Sequence, residues 1–543
     1  MDYELLIRNG NVVDGSGAAR TLADVAISDR KIAAIISPAE GAAVRAGREI
    51  DARGMIVAPG FIDLHSHSDW ITPLADHGRI LKPFLWQGVT TFVGGNCGFS
   101  TAPIRRSASR LLDESSQMLC ASALDWRWET VAELRSQLEA GGLALNVAHL
   151  AGHGSIRLSV MGSNPADPTK EELGAMRAMV DQAMADGALG LSTGLGYFPG
   201  MIAKPAELAA LAEVAGAAGG ILTSHLRAYS AKSVVYDDPH PHNILAIREM
   251  VRVARAARVP LEVSHLIFVG KRTWATVNEA LAEVERARDE GVEIGFDTFP
   301  YTGGNTTIRV LFPAWSQGHL MTHLNSKQGL DRLRRETFAP LGRFIGKSAQ
   351  LLWAVKPEFR HLEGKYFGEI AEAIKLEPAE AYLTLARESG GRALVMLHEY
   401  SGNEQDENAL RTAMAHPLNA FEMDTILTSH GHDNPASYGT YPRILGYYVR
   451  ELGLLSLENA IHKFTGLAAA RMRLGRCGLI RAGYAADITI FNPHTVAGPA
   501  NFINANLPPI GIEHVIINGT SVLSNGKYSG DDVRAGRFVA RAA

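Results

Sequence analysis

Apolar and polar positions along this chain follow two different rhythms. Residues 1–57 alternate over short runs, with Gly, Asn and Asp between them: YELLIRNGNVVDGSG, DVAISDRKIAAIIS and REIDARGMIV. That is the pattern of short strands joined by tight turns. The far end reads the same way, in GLIRAGYAADITIFN and EHVIINGTSVLSNGKYSG. The two end segments can therefore pair into one small β domain, 1–57 with 476–543.

The middle of the chain, from 58 to 475, is different. Eight apolar runs, GFIDLHSH, VTTFVGGNC, LALNVAHLAGHG, ALGLSTGLGY, ILTSHLRA, LEVSHL, VEIGFDTFPY and LNAFEMDTIL, alternate with helical stretches such as KEELGAMRAMVDQAMA and NILAIREMVRVARAA. Strands apolar on both faces, with helices between them, predict a parallel α/β core. Eight such units over roughly 400 residues fit a (β/α)8 barrel of the TIM type with insertions. The stretch 302–366 has no clear period and reads as an insertion after the seventh strand, a lid that shapes the substrate pocket. The expected fold is α/β: this barrel beside a small β-sandwich domain built from both termini.

Composition narrows the function only by exclusion. At 543 residues the chain is long enough for one large domain and a smaller one. A net charge of −4 supplies no basic field for nucleic acid or an anionic membrane. No apolar run approaches 18 residues, and the start MDYELLIRNG lacks a signal-peptide pattern. Three widely spaced cysteines, Cys97, Cys120 and Cys477, make no disulfide framework. A cytoplasmic protein acting on a small molecule is expected, with neither nucleic acid nor membrane as partner. Homo-oligomerisation is compatible with all of this.

The chemistry begins at GFIDLHSH. Residues i and i+2 of a strand point the same way, so His65 and His67 converge at the C-terminal end of the first barrel strand. That rim carries the chemistry in such barrels. A lone pair of this kind recurs by chance. Other strand ends add Cys97 in GGNCG, His225 in TSHLR, His265 in VSHL and Asp424 in FEMDT. Imidazole, thiolate and carboxylate are the usual zinc donors. Six donors exceed the needs of one tetrahedral ion and suit two neighbouring ions with a shared ligand. Zinc lowers the pKa of bound water to about 7 and polarises a carbonyl. A carboxylate beside it can act as general base, then acid.

At these residues the chain resembles the amidohydrolase superfamily, and within it the N-acyl-D-amino-acid deacylases (D-aminoacylases). The resemblance rests on APGFIDLHSHSD, GVTTFVGGNCGFS, NVAHLAGHGSIR, GALGLSTGLGYFPG, TSHLR, SHL, DTFPY, YGTYPRILG and GYAADITIF, and runs over nearly the whole chain. It implies a zinc-dependent amidohydrolase that cleaves a linear, non-peptide amide of an N-acyl compound. It also implies that Cys97, His225 and His265 hold one tightly bound zinc ion. His65, His67 and Asp424, with Cys97 bridging, would form a second, weaker site. Asp424 would be the catalytic carboxylate, and Tyr197, Arg227 and Tyr301 would lie against the substrate. Where many amidohydrolases use a strand 4 lysine, this chain has LSTGLGY; Cys97 matches the group that uses a cysteine instead.

Two departures matter. HPLNAFEMDT replaces the usual wording around the strand 8 aspartate, and TSHGHDN follows it, so Asp433, His430 and His432 rival Asp424. The cations that hold a substrate α-carboxylate in the resembled group are replaced by Ile267 and Ala436. Arg227, Arg309, Lys271, Arg272 and Arg443 are the candidate substitutes. An amide without a free α-carboxylate is therefore an alternative substrate. The cyclic amidases of the hydantoinase and dihydroorotase type, a lactonase or esterase, and a non-catalytic scaffold of the same fold are further alternatives.

Overall fold

The computed structural model describes residues 2–41, 43–116, 119–120, 124–233, 235–427 and 430–542. Each of the eight apolar runs contains a buried strand of the core. They are β1 (Phe61–Asp63), β2 (Val89–Gly94), β3 (Asn146–His149, continued by Ala151–Gly152), β4 (Gly190–Gly194), β5 (Ile221–His225), β6 (Leu261–Val263), β7 (Ile294–Thr298) and β8 (Asn419–Phe421). Neighbours pair in parallel from β1 through β3, and from the continuation of β3 through β8. A parallel bridge between Ser66 and Thr425 brings β8 back to β1 and closes the barrel. Closure leaves no edge among these strands, so near-continuous apolar runs such as VTTFVG can be buried on both faces.

The two termini meet in one hydrogen-bonded, nine-stranded sheet. Strands Tyr3–Val12 and Thr21–Ser28 lead to Ile56–Pro59, which pairs antiparallel with Ile488–Phe491 from the other end of the chain. Alternating residues Leu5 and Ile7, Val25 and Ile27, and Ile488 and Ile490 supply its apolar core. Thus the period-two pattern at each end is half of one core, and neither half could bury its apolar face alone.

The excursion after β7 is longer than the sequence pattern suggests. Gly303–Thr307, Ala349–Trp353 and Leu394–His398 form an antiparallel sheet with the last of these in the middle. The insertion therefore runs well beyond residue 366. Its central strand, LVMLH, is an apolar run like those of the barrel, and only its partners reveal that it belongs to a separate small sheet.

Beneath the barrel rim, Lys463 is buried and donates from Nζ to the carbonyls of His416 (2.6 Å) and Asn419 (2.9 Å), at the entry to β8. Burial, with Arg471 nearby, pushes its pKa down to about 7. An unfolded lysine keeps its proton to about 10.4. Between these values the unfolded chain binds more protons, so this group makes stability rise with pH, by at most about 1.4 kcal/mol per pH unit. The melting temperature of the wild type should gain on that of Lys463→Met between pH 7 and pH 10. Parallel curves for the two proteins would rule the effect out.

Candidate metal centre

The C-terminal ends of four barrel strands aim donors at one point. His65 Nε2 lies 3.1 Å from Cys97 Sγ, and Cys97 Sγ lies 3.4 Å from His265 Nε2 and 3.7 Å from His225 Nδ1. His225 Nδ1 and His265 Nε2 are 3.0 Å apart. A tetrahedral zinc site with bonds of about 2.0–2.3 Å spaces its donors about 3.3–3.8 Å apart; the pairs at 3.4 and 3.7 Å match that spacing and those at 3.0 and 3.1 Å lie just inside it. Asp424 Oδ1 lies 3.6 Å from His65 Nε2 and 3.5 Å from His67 Nε2. Two overlapping donor groups result: His65, Cys97 and His265, and His65, His67 and Asp424. His65 belongs to both, so the geometry makes it, as well as Cys97, a candidate shared ligand.

The electrostatics suit a cation. Burial pushes the His65 and His225 imidazoles well below their ordinary pKa and lowers that of His265, favouring the neutral form that binds metal. Burial, reinforced by Asp424, pushes the Cys97 thiol up. A thiolate there needs a positive charge beside it. Burial also works to raise Asp424, but its hydrogen bond with His67, and any positive charge gathered among the neighbouring donors, pull it below the usual carboxylate range.

The backbone is set for this convergence at some cost. Cys97, His265 and Asp424 have φ of 53°, 32° and 44°, a left-handed region that non-glycine residues seldom occupy. Each such residue costs on the order of 1–3 kcal/mol unless its surroundings hold it. Here they do. Tyr197 Oη donates to the Cys97 carbonyl (2.7 Å), and the His265 backbone N–H donates to the Asp297 carboxylate. Gly194 makes room: a Cβ there would stand 2.1 Å from the Cys97 carbonyl oxygen. Gly194→Ala should therefore lower zinc content and activity together, checked by metal analysis of the purified variant; wild-type zinc content would contradict this.

Two buried carboxylates that the motif search did not single out sit behind the donors. Asp63 accepts from the backbone N–H groups of His65 (3.4 Å) and Met423 (3.0 Å), tying the ends of β1 and β8 together. Asp297 lies 3.9 Å from His65 Nδ1. Both had a signal in the sequence. Each is an acid inside an apolar strand run, and Asp63 is two residues from His65 on the same face.

A cavity of about 290 Å³ opens onto the donors, with His67, Cys97, His225, His265 and Asp424 in its wall. That is near the lower end of the usual size for a small-molecule site. Tyr197 lines it, its ring 4.9 Å from that of His225. Arg227 lines it too, but its charge is paired: it forks onto Glu249 and donates to the carbonyls of Met201 and Ala203. Tyr301 does not reach the cavity. It is buried against Phe502, with Arg443 over its ring and its hydroxyl on the Ala500 carbonyl, because the chain turns away from the rim after β7. The rivals of Asp424 lie apart from the donors. Asp433 accepts from Tyr438, His432 donates its backbone N–H to Leu352, and His430 stacks on Trp353.

Among the described residues, no helix is long and apolar enough to cross a membrane. The amidohydrolase family profile matches residues 48–323 and 423–523. The chain is 32% identical to the D-aminoacylase of Alcaligenes xylosoxydans xylosoxydans, over 100% of this chain and 98% of that protein. Among solved structures it is similar to the N-acyl-D-glutamate deacylase of Bordetella bronchiseptica. That protein was solved with zinc and a phosphonate that mimics the tetrahedral intermediate (TM-score 0.81, 30% identity, 99% of this chain and 100% of that one). A D-aminoacylase structure concerned with a binuclear metal centre, one-metal activation and second-metal attenuation aligns equally well (TM-score 0.81, 29% identity, 99% and 100% coverage).

Proposed function

The chain belongs to the amidohydrolase family, and from that premise we propose that it is a zinc-dependent deacylase hydrolysing a linear amide of an N-acyl compound. The observation that carries this is the convergence of His65, Cys97, His225 and His265 within 3.0–3.7 Å beside an ionised Asp424, at the floor of a small cavity. Cys97, His225 and His265 would hold the tighter ion; His65, His67 and Asp424 would form the weaker site, with Cys97 shared. Zinc, when bound there, polarises the amide carbonyl and makes water acidic enough to attack at neutral pH.

The chain's own residues do the rest. Asp424 Oδ1, on the cavity wall, takes a proton from water and delivers it to the departing nitrogen. The amide C–N bond breaks, the acyl carbon keeps the water oxygen, and the amine leaves with the proton. Asp297 and Asp63 hold the backbone at His265 and His65 so that the donors stay aimed. The apolar walls exclude bulk water and so strengthen every charge interaction at the reacting centre. The small β domain takes 1–59 and 476–543, so that strand Ile56–Pro59 stays whole, and the barrel insertion extends to about 407, ahead of the helix Asn408–Ala415.

The test is release of free amine from linear N-acyl amides by protein of measured zinc content. Activity should fall when a chelator strips the metal and return with added zinc. Protein carrying one zinc per chain that opens no linear amide, or opens only cyclic ones, would defeat the proposal.

A further inference from the structure

We propose that the amine half of the substrate carries no free carboxylate: the cavity is built for a neutral N-acyl amide with apolar groups on either side of the scissile bond. This rests on the hydrolase reading above and specifies its substrate class.

The cavity walls beyond the metal donors are mainly apolar, with Ile267 and Val269 after β6, Met201 beside β4, and Leu311, Phe312 and Leu397 from the insertion. Apart from the histidines and Asp424, the one charged residue in the lining is Arg227. Glu249, itself buried, meets that guanidinium at 2.8 Å, and two backbone carbonyls accept from its Nη1 and Nη2, so that four of its five N–H groups are engaged. The pair is neutral as a whole, so it offers a ligand no net charge, and Arg227 cannot turn to a carboxylate without leaving the buried Glu249 unpaired.

No other cation replaces it. Arg309 faces a neighbouring hollow and donates to the Gly391 carbonyl. Arg443 donates to the Pro300 carbonyl and sits over the rings of Tyr301 and Tyr447. Lys271 and Arg272 are exposed on the helix Lys271–Trp274. None of these lines the cavity, and none of the residues outside the description is a lysine or arginine. A carboxylate on the amine half would thus be stripped of water against Ile267 and Val269 with no cation to meet it, and would also feel the negative charge of Asp424. Whatever positive charge a bound metal brings is engaged at the scissile carbonyl.

The experiment uses the zinc-loaded full chain and three probes that share one acyl group: N-acetyl-D-phenylalanine, N-acetyl-D-phenylalaninamide and N-acetyl-2-phenylethylamine. They differ at one position only, carrying carboxylate, carboxamide and hydrogen. The expected result is kcat/KM at least about 10-fold higher for both neutral probes than for the acid, with the acid also the weaker competitor when mixed with a neutral probe. Turnover of the acid equal to or better than that of the neutral probes would overturn the inference and leave the hydrolase reading standing. Turnover of none of the three by protein of measured zinc content would overturn both.

Discussion

Asp424→Asn should cost about 10²–10⁴-fold in kcat, the range set by removing a positioned general acid–base group. Asparagine keeps the shape of the side chain and one acceptor oxygen but cannot take a proton from water. The donor set proposed for the tighter ion, Cys97, His225 and His265, does not include position 424, so zinc content should stay near the wild-type value. The fall should appear in kcat and kcat/KM alike, because the lost interaction belongs to the transition state. The neighbouring candidate supplies the control. Asp433 is engaged with Tyr438, away from the donors, so Asp433→Asn should change kcat by less than about 10-fold. A variant at 424 that turns over normally, or a large loss at 433 with none at 424, would transfer the catalytic assignment.

Cys97→Ala should be the other large loss, and of a different kind. Cys97 Sγ is within 3.1–3.7 Å of three imidazole nitrogens, more close donor contacts than any other group in the centre makes. Its removal leaves neutral, buried histidines with nothing anionic among them on that side. The expected result is near-complete loss of tightly bound zinc, and with it a fall in kcat/KM of at least about 10³-fold. That scale follows because losing a group that only orients a metal ligand already costs about 10–100-fold in metal affinity. The measurement is zinc per chain after exhaustive dialysis, read beside activity. Stoichiometric zinc retained by the variant would remove Cys97 from the ligand set and leave the cluster to the histidines and Asp424. Excess zinc in the assay separates weak binding from damaged chemistry: activity that returns at high zinc marks an affinity defect.

The sequence alone was enough for the barrel strands and for placing the candidate donors at their ends. Eight apolar runs separated by amphipathic helices are a local pattern, and a strand's two-residue period says which side chains share a face. His65 and His67 could therefore be paired on sight, and Cys97, His225, His265 and Asp424 could be placed at strand ends. The matching turn-rich patterns at 1–57 and 476–543 likewise announced two halves of one β core. The same local logic would have found Asp63, which shares a face with His65.

What only the tertiary structure decided are the relations between residues far apart in the chain. Arg227 reads as a free cation near the rim until Glu249, on the helix His242–Ala257, is seen to neutralise it. Tyr301 reads as a substrate contact until its hydroxyl is found on Ala500. The strand Leu394–His398 looks like barrel material until its antiparallel partners place it in the insertion. It is Asp424, and not Asp433, that stands within 3.5–3.6 Å of His67 and His65, which lie some 360 positions earlier. Periodicity is a property of neighbours within one element and so survives in the sequence. Charge pairing, burial and the convergence of donors depend on which elements pack together, and that is fixed only when the barrel closes.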